Sequence, residues 1–522
     1  MSLDNTNTTG VLNLSEAAAF VRVSEKTLRE MARDKKVPAR KVGREWRFLR
    51  QRLEEWLNQA PGNGYVAESD DEYGQQLLIQ REKEKNGKIK FGDTAFSKNR
   101  REPLHRWVPW IAGFSAAFVE DVFGVTVAHQ DPRDVTVLDP FAGVGTTLVE
   151  GLKRGYNVIG FDINPYAILA TNIKMRAIDA NTDILVQVIR QIEQLETNPP
   201  DPDTDPVSLA PAGFRSKRSF FSPNVERQVL FIKDVINQQN DAYIKDVLRT
   251  ALGSVMVSFS NYSYEPSLGT RIGAGKEEIQ NAEVYRIFAD KLWEIEADIG
   301  FLQKHMQKFD HVPSRKVVEE SFLTGYSNIA PGTIDVLITS PPYLNNYHYI
   351  RNTRPQLYWL DLVQESQALK KVEQDNFGLY WQTVRSGPEI SLMFRSPEIE
   401  QIIAEIRSRN NQKGTYGGQG WANYAATYFN DTYSFFQATA RVMRPGGRVV
   451  IVIGNNIVQG VHIETDRLLA EIGEMQGFEL VQMHTVRKKR TGSSIVNSSV
   501  RVGNNKRRVQ LHETAVELKA PG

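Results

Sequence analysis

Three short stretches hold residues whose types and spacing could do chemistry. The first is Thr339-Ser340-Pro341-Pro342-Tyr343, directly after the apolar run Ile334–Ile338. Proline lacks an N–H and fixes φ, so the pair ends a strand and aims the Pro341 carbonyl with no competing donor. With the Ser340 hydroxyl and the Tyr343 ring, the stretch reads as a rigid pair of hydrogen-bond acceptors beside an aromatic shelf. The second is Asp139-Pro140-Phe141-Ala142-Gly143-Val144-Gly145-Thr146, a Gly-x-Gly loop between an apolar strand pattern and a helical one. Glycines at such a place let the backbone approach a ligand at a helix N-terminus. The third is Asp162, 19 residues after Gly143 at the end of the next apolar run, where a carboxylate can bond ribose hydroxyls. The loop lacks a third glycine at dinucleotide spacing and begins Asp-Pro-Phe, which suits a nucleoside without phosphates better than a pyrophosphate.

Composition narrows the chemistry. The 522 residues contain no cysteine, which removes disulfides, thiolate metal sites and cysteine nucleophiles together. A chain of this length should hold about two to four domains. With 64 Lys/Arg against 62 Asp/Glu the net charge is only +2, so any surface for a polyanion must be local. No apolar run has the length of a membrane span, and the first ten residues lack a basic and apolar leader pattern, so a cytoplasmic location without membrane contact is expected. No metal site is expected.

The elements that must position these residues alternate. Strand patterns over 135–141, 157–163, 334–339 and 448–454 are separated by helical patterns, and later strands follow over 478–486 and 513–520. This predicts an α/β fold: a doubly wound, Rossmann-like parallel sheet with an antiparallel edge near the end. Between about 180 and 315 the residues read as a mainly helical insertion, with a loop carrying Tyr262, Tyr264, Arg271 and Lys276 that suits nucleic-acid contact. Asn455 and Asn456 are expected at the carboxyl end of the sheet, as nucleotide contacts or as strand caps.

The N-terminal segment is a separate unit. From Leu12 to Leu57 there are 12 Lys/Arg and 7 Asp/Glu, a net charge of about +5. Ser15 and Ser24 can cap two short helices, a hairpin turns around Gly43, and a short helix ends at Leu57. Helix, turn, basic helix and basic hairpin is the layout of a winged helix-turn-helix. The expected organisation is this domain over 11–58, a linker over 59–93 and the α/β domain over 94–522.

Two resemblances follow from these residues. The N-terminal pattern is similar to the excisionase/MerR-like DNA-binding domains, which implies Lys26, Thr27 and Arg29 in the major groove and Lys41 and Arg44 on phosphates. "DPFAGVGTT" together with "TSPPY" resembles the amino-group DNA methyltransferases, which use S-adenosylmethionine and have the class I methyltransferase fold. That resemblance implies Ser340, Pro341, Pro342 and Tyr343 as the catalytic segment. It implies Asp139, Phe141, Gly143, Gly145 and Thr146 along the methionine half of the cofactor and Asp162 on its ribose. His105 and Pro109 would be a further cofactor-contacting element, and Tyr326 stands where the family has an acid for the adenine amino group.

An exocyclic amine is a poor nucleophile because its lone pair is delocalised into the ring. Acceptors on both its N–H bonds free that pair, and Tyr343 would stack on a base taken out of the duplex. Family members with Ser in this position act on cytosine N4 and those with Asp or Asn on adenine N6, so Ser340 implies cytosine N4. Methylation at carbon-5 needs a cysteine and is excluded. Arg487, Lys489 and Arg507 lie in a basic edge suited to the DNA backbone. The implied partners are double-stranded DNA and, in a restriction-modification setting, a cognate restriction endonuclease. An RNA or protein-glutamine methyltransferase and a DNA-binding regulator with a degenerate methyltransferase scaffold are the alternatives. Deleting the residues before about Asn58 should weaken or redirect DNA binding, measured by gel shift, while cofactor binding by calorimetry stays intact.

Overall fold

The computed structural model describes residues 11–12, 14–21, 25–33, 37–42, 45–49, 53, 91, 96–110, 113–264, 267–344, 349–409, 420–489 and 511–522. The chain divides into two compact units, Met1–Ile89 and Lys90–Gly522.

In the first unit β1 (Val11–Leu12), β2 (Arg40–Val42) and β3 (Glu45–Leu49) form an antiparallel sheet with β3 in the middle. The helices Leu14–Phe20 and Glu25–Arg33 complete the helix, turn, helix and wing order. Their apolar positions Ala17, Ala18, Leu28 and Ala32 meet Val37, Phe48 and Leu53 in a small core. Lys26 and Thr27 fall on the second helix, and Arg29 on it is exposed; Lys41 falls on β2. Arg44 and most of the 59–93 segment lie outside the described residues.

The second unit is built on a seven-stranded sheet. Its strands are β4 (Thr136–Asp139), β5 (Asn157–Asp162), β8 (Arg315–Glu319), β9 (Ile334–Thr339), β10 (Met443–Gly454), β13 (Glu479–Lys489) and β14 (Leu511–Lys519). The order is β13-β14-β10-β9-β4-β5-β8. Neighbours from β8 to β10 run parallel, and β14 lies antiparallel between β10 and β13. β6 (Tyr262–Tyr264) pairs with β7 (Leu268–Thr270), and β11 (Asn456–Val458) with β12 (Val461–Ile463), as separate hairpins. This is the doubly wound sheet with antiparallel strands toward one edge that the alternation predicts.

Side-chain alternation feeds two cores, one on each face. Val137, Val336, Ile338, Val450 and Val452 pack under the helices Ala116–Thr126, Thr146–Lys153 and Pro165–Arg176. Leu138, Leu337, Val449, Ile451 and Ile453 pack on the opposite face with the helices Gly420–Val442 and Thr465–Met475. Across 180–315 the helices Thr182–Thr197, Pro223–Gln238, Ala242–Val255 and Val284–Met306 extend the first core. There the Tyr264 phenol donates to the Asn352 carbonyl and Arg271 Nε to the Glu277 carbonyl, so both bond within the protein.

From β4 the chain winds to β5 and β8 on one side, and from β9 to β10 on the other. The reversal opens a crevice beyond the carboxyl ends of β4 and β9, where open α/β sheets place ligands. Gly454 sits at that end of β10, and a Cβ there would lie 2.5 Å from the His512 carbonyl oxygen on β14 and 3.5 Å from the Tyr343 ring. Both nearest neighbours are held by the sheet, so Gly454→Ala should cost ~1–3 kcal/mol. A melting temperature equal to wild type would show that β14 yields freely at this point.

Candidate active site

The crevice is a partly enclosed cleft. It is lined by Asp139, Phe141, Gly143 and Thr146 of the first loop, Asp162 at the end of β5, and Ser340 and Pro342 after β9. The loop and the proline segment, 200 residues apart in sequence, are joined by one buried hydrogen bond of 2.6 Å from Thr339 Oγ1 to Asp139 Oδ1. The same oxygen accepts the Phe141 N–H at 3.1 Å. Burial pushes the Asp139 carboxyl up to about 6, opposed by the hydrogen bonds from Thr339, Thr147 and Phe141.

The glycine loop is held from beneath. Asp162 accepts the Gly143 N–H on Oδ2 and the Asn164 N–H on Oδ1, both at 2.8 Å. Burial raises its carboxyl to about 6 against those bonds. The helix Pro165–Arg176 holds the loop's carbonyls: Thr171 Oγ1 donates to Gly143 O at 2.8 Å and Lys174 Nζ to Val144 O at 2.7 Å. Gly143 has φ +52°, and a Cβ on it would stand 3.0 Å from Trp110 Nε1. The bare backbone is thus pressed against an indole at the cleft wall, a cradle that side chains would fill.

Trp110, Gly113 and Phe114 supply the cleft's contact with the 105–115 segment. His105 and Pro109, expected there, do not line it. His105 is buried with Nε2 2.7 Å from Glu150 Oε1, behind the loop's helix, and Pro109 is exposed. Burial lowers the His105 pKa despite Glu150, so the imidazole is neutral. The Leu104 N–H and Arg106 and Trp107 side chains all donate to Asp298. The two carboxylates pin the segment, and Trp110 is the residue they deliver.

Tyr326 also lies away from the cleft, in a turn where Arg441 stacks on its ring at 5.5 Å. The cleft wall beyond β8 is made instead by Glu320, Ser321 and Phe322. The signal for it in sequence was the pair of acids, Glu319 and Glu320, that follows the apolar pair Val317-Val318 at a strand end. Gly145 caps the helix Thr146–Lys153 rather than facing the cleft. Pro341 is buried, and Tyr343 is hydrogen-bonded to the Ser340 side chain while burial and the Glu513 charge hold its phenol well above its usual pKa. Phe377 lines the far side of the cleft, edge-on to Phe141 at 5.2 Å.

Asn455 Oδ1 accepts the His512 N–H and its Nδ2 bonds His462 Nε2, and Asn456 Oδ1 accepts the Thr465 hydroxyl, so both cap the sheet end. Arg487 and Lys488 are exposed on β13, the edge strand; Lys489 ends it, and Arg507 lies outside the described residues. Among the described residues no cluster of acidic and histidine side chains could hold a metal, and no helix is long and apolar enough to cross a membrane.

The cleft's parts fit a nucleoside-bearing cofactor. Asp162 keeps lone pairs for a ribose diol, Phe322 offers a ring face, and the Gly143 backbone faces the wall without a side chain. Comparison with known proteins gives the same direction. Residues 125–204 match the D12 class N6 adenine-specific DNA methyltransferase family and residues 11–61 a helix-turn-helix domain family. The chain is 24% identical over 439 residues to the type II methyltransferase M.BsoBI of Geobacillus stearothermophilus, covering 77% of this chain and 83% of that one. It is 23% identical over 396 residues to M.MvaI of Kocuria varians, with 72% and 82% covered.

Lys174 generates a test. It is fully buried, and desolvation pushes its ammonium down to about 7, with Asp298 the one opposing charge. From there to the ordinary value of 10.5 the unfolded chain carries a proton that the folded one lacks, so this residue makes stability rise with pH across that window. Lys174→Met should flatten the rise in melting temperature between those values. It should also raise the cofactor KM by about fivefold through the freed Val144 carbonyl; an unchanged KM would show that the loop holds itself. Over about three quarters of its length the chain is thus similar to type II DNA methyltransferases, with one segment that matches the D12-class family and an N-terminal segment that matches a helix-turn-helix domain.

Proposed function

We propose that the protein transfers a methyl group from S-adenosylmethionine to the N4 amine of a cytosine flipped out of double-stranded DNA at a specific site. The observation that carries this reading is the meeting of Ser340 and the Gly143 loop in one cleft, coupled by the Thr339–Asp139 bond. The cofactor, when bound, supplies an electrophilic methyl on a sulfonium. Everything else is done by the chain. Ser340 Oγ and the Pro341 carbonyl accept the two amine N–H bonds, which localises the lone pair for attack. The Ser340–Tyr343 hydrogen bond fixes the hydroxyl's position at the cleft. Phe377, in the cleft wall, stacks on the base, whereas Tyr343, expected as the aromatic shelf, does not line the cleft and acts through its hydrogen bond to Ser340. The aromatic walls exclude water from the transfer path.

Adenine N6 is the second reading, favoured by the name of the family matched over 125–204. That segment holds the cofactor loop and ends well before Ser340, so it speaks to cofactor binding more than to the base. A cognate restriction endonuclease and a nucleoid-associated, cytoplasmic setting go with the reading. The N-terminal domain would add affinity for DNA through Lys26, Thr27, Arg29, Lys41 and Arg44, and the exposed Arg487 with Lys489 and Arg507 a second phosphate contact.

The test is expression in a methylation-free host followed by sequencing of modified bases. N4-methylcytosine at one sequence is expected; N6-methyladenine would replace the base assignment, and an unmarked genome would favour the scaffold alternative. Ser340→Ala should keep cofactor affinity and lower methyl transfer to the identified duplex by roughly 100-fold or more. Undiminished transfer would remove Ser340 from the mechanism.

A further inference from the structure

Trp110 and Tyr349 stand in the wall of the candidate cleft, and they also line a second cavity. Its remaining walls come from Tyr166, Gly253, Tyr264 and Gln356, residues of the helices Pro165–Arg176, Ala242–Val255 and Tyr349–Trp359 and of β6. Arg100 is at its edge, exposed.

Two residues of this wall each carry a buried polar atom with no hydrogen-bond partner among the described residues: Tyr166 Oη and Gln356 Oε1, on residues 2% and 4% exposed. Buried, unpaired polar groups cost stability and are rare in native proteins. Here they sit on one cavity. Gln356 is oriented by its Nε2, which donates to the Gly253 carbonyl at 3.2 Å and lies 3.4 Å from the Tyr264 oxygen, so its free carbonyl oxygen is fixed in place. Burial keeps the Tyr166 phenol protonated, and hence a donor. The cavity therefore offers one fixed acceptor and one donor among four aromatic rings, with a guanidinium at the edge.

A flat heteroaromatic ring with an amine or imino donor and an acceptor on its edge, followed by a phosphate, matches that set. Ser340 lines the candidate cleft and not this cavity, so a base held here is not the one whose amine is methylated. We propose that this cavity receives a second unpaired base of the same DNA duplex, held between the tyrosine rings with its edge on Gln356 and Tyr166. The assignment rests on the DNA reading above.

The test uses the full-length protein, S-adenosylhomocysteine and the duplex identified by modification sequencing. Affinity is measured by fluorescence anisotropy for a series of duplexes in which each base in turn is replaced by an abasic site. Tyr166→Phe removes only the unpartnered hydroxyl, so the melting temperature should hold or rise. Wild type should lose on the order of tenfold affinity at one abasic position other than the methylated base. Tyr166→Phe should weaken binding to the intact duplex several-fold and show a reduced further loss at that position. Gln356→Leu should behave alike. An affinity blind to every non-target base, or variant and abasic effects that simply multiply, would overturn the assignment. Variants that weaken S-adenosylhomocysteine binding and leave DNA binding unchanged would give the cavity to the cofactor and overturn it too. A wild type that marks and binds no DNA would fail the functional reading and take this one with it.

Discussion

A single buried hydrogen bond, Thr339 Oγ1 to Asp139 Oδ1, couples the two halves of the candidate site. β4 and β9 are neighbours in the sheet, and the bond joins them just where each gives way to its loop. A buried carboxylate is costly unless its lone pairs are used. Here the hydroxyl and the Phe141 amide use them, so the charge fixes two loop origins at once. The distance from the glycine loop to Ser340 is then a property of the sheet rather than of either loop.

Around that bond the chain spends polar groups on backbone. Asp162, Thr171 and Lys174 meet amides and carbonyls of the loop, while Glu150 and Asp298 anchor the segment that presents Trp110. Few of these groups need to touch a ligand to matter. They hold a glycine-rich stretch, which has the greatest conformational freedom to lose, in one shape before anything binds.

The sheet was legible in the sequence because strands buried on both faces and amphipathic helices leave period-two and period-3.6 patterns that need no tertiary knowledge. Asp139, Gly143, Asp162 and Ser340 were legible for the same reason, since each falls at a strand end on the ligand side. Tyr326 was misplaced by counting back from the proline motif. The turn Phe322–Gly325 and the one after it carry the chain away from the cleft, and the wall just past β8 is made by Glu320, Ser321 and Phe322. His105 was expected from the family resemblance as a cofactor contact, yet it faces Glu150; the contact with the loop comes five residues later at Trp110. The wall of Tyr166, Gly253, Tyr264 and Gln356 could not be read at all, because it is assembled from four elements spread over 190 positions.

β14 bears on how the protein is made. It lies between β10 and β13, and its residues His512 and Glu513 adjoin Gly454 and Tyr343. Synthesis delivers the glycine loop early, but the strand that backs Tyr343 arrives only with residues 511–519. Pairings of such long sequence separation form late and slowly. A ribosome-bound chain would therefore carry an open β10 edge and an unsupported Tyr343 until near the end of translation.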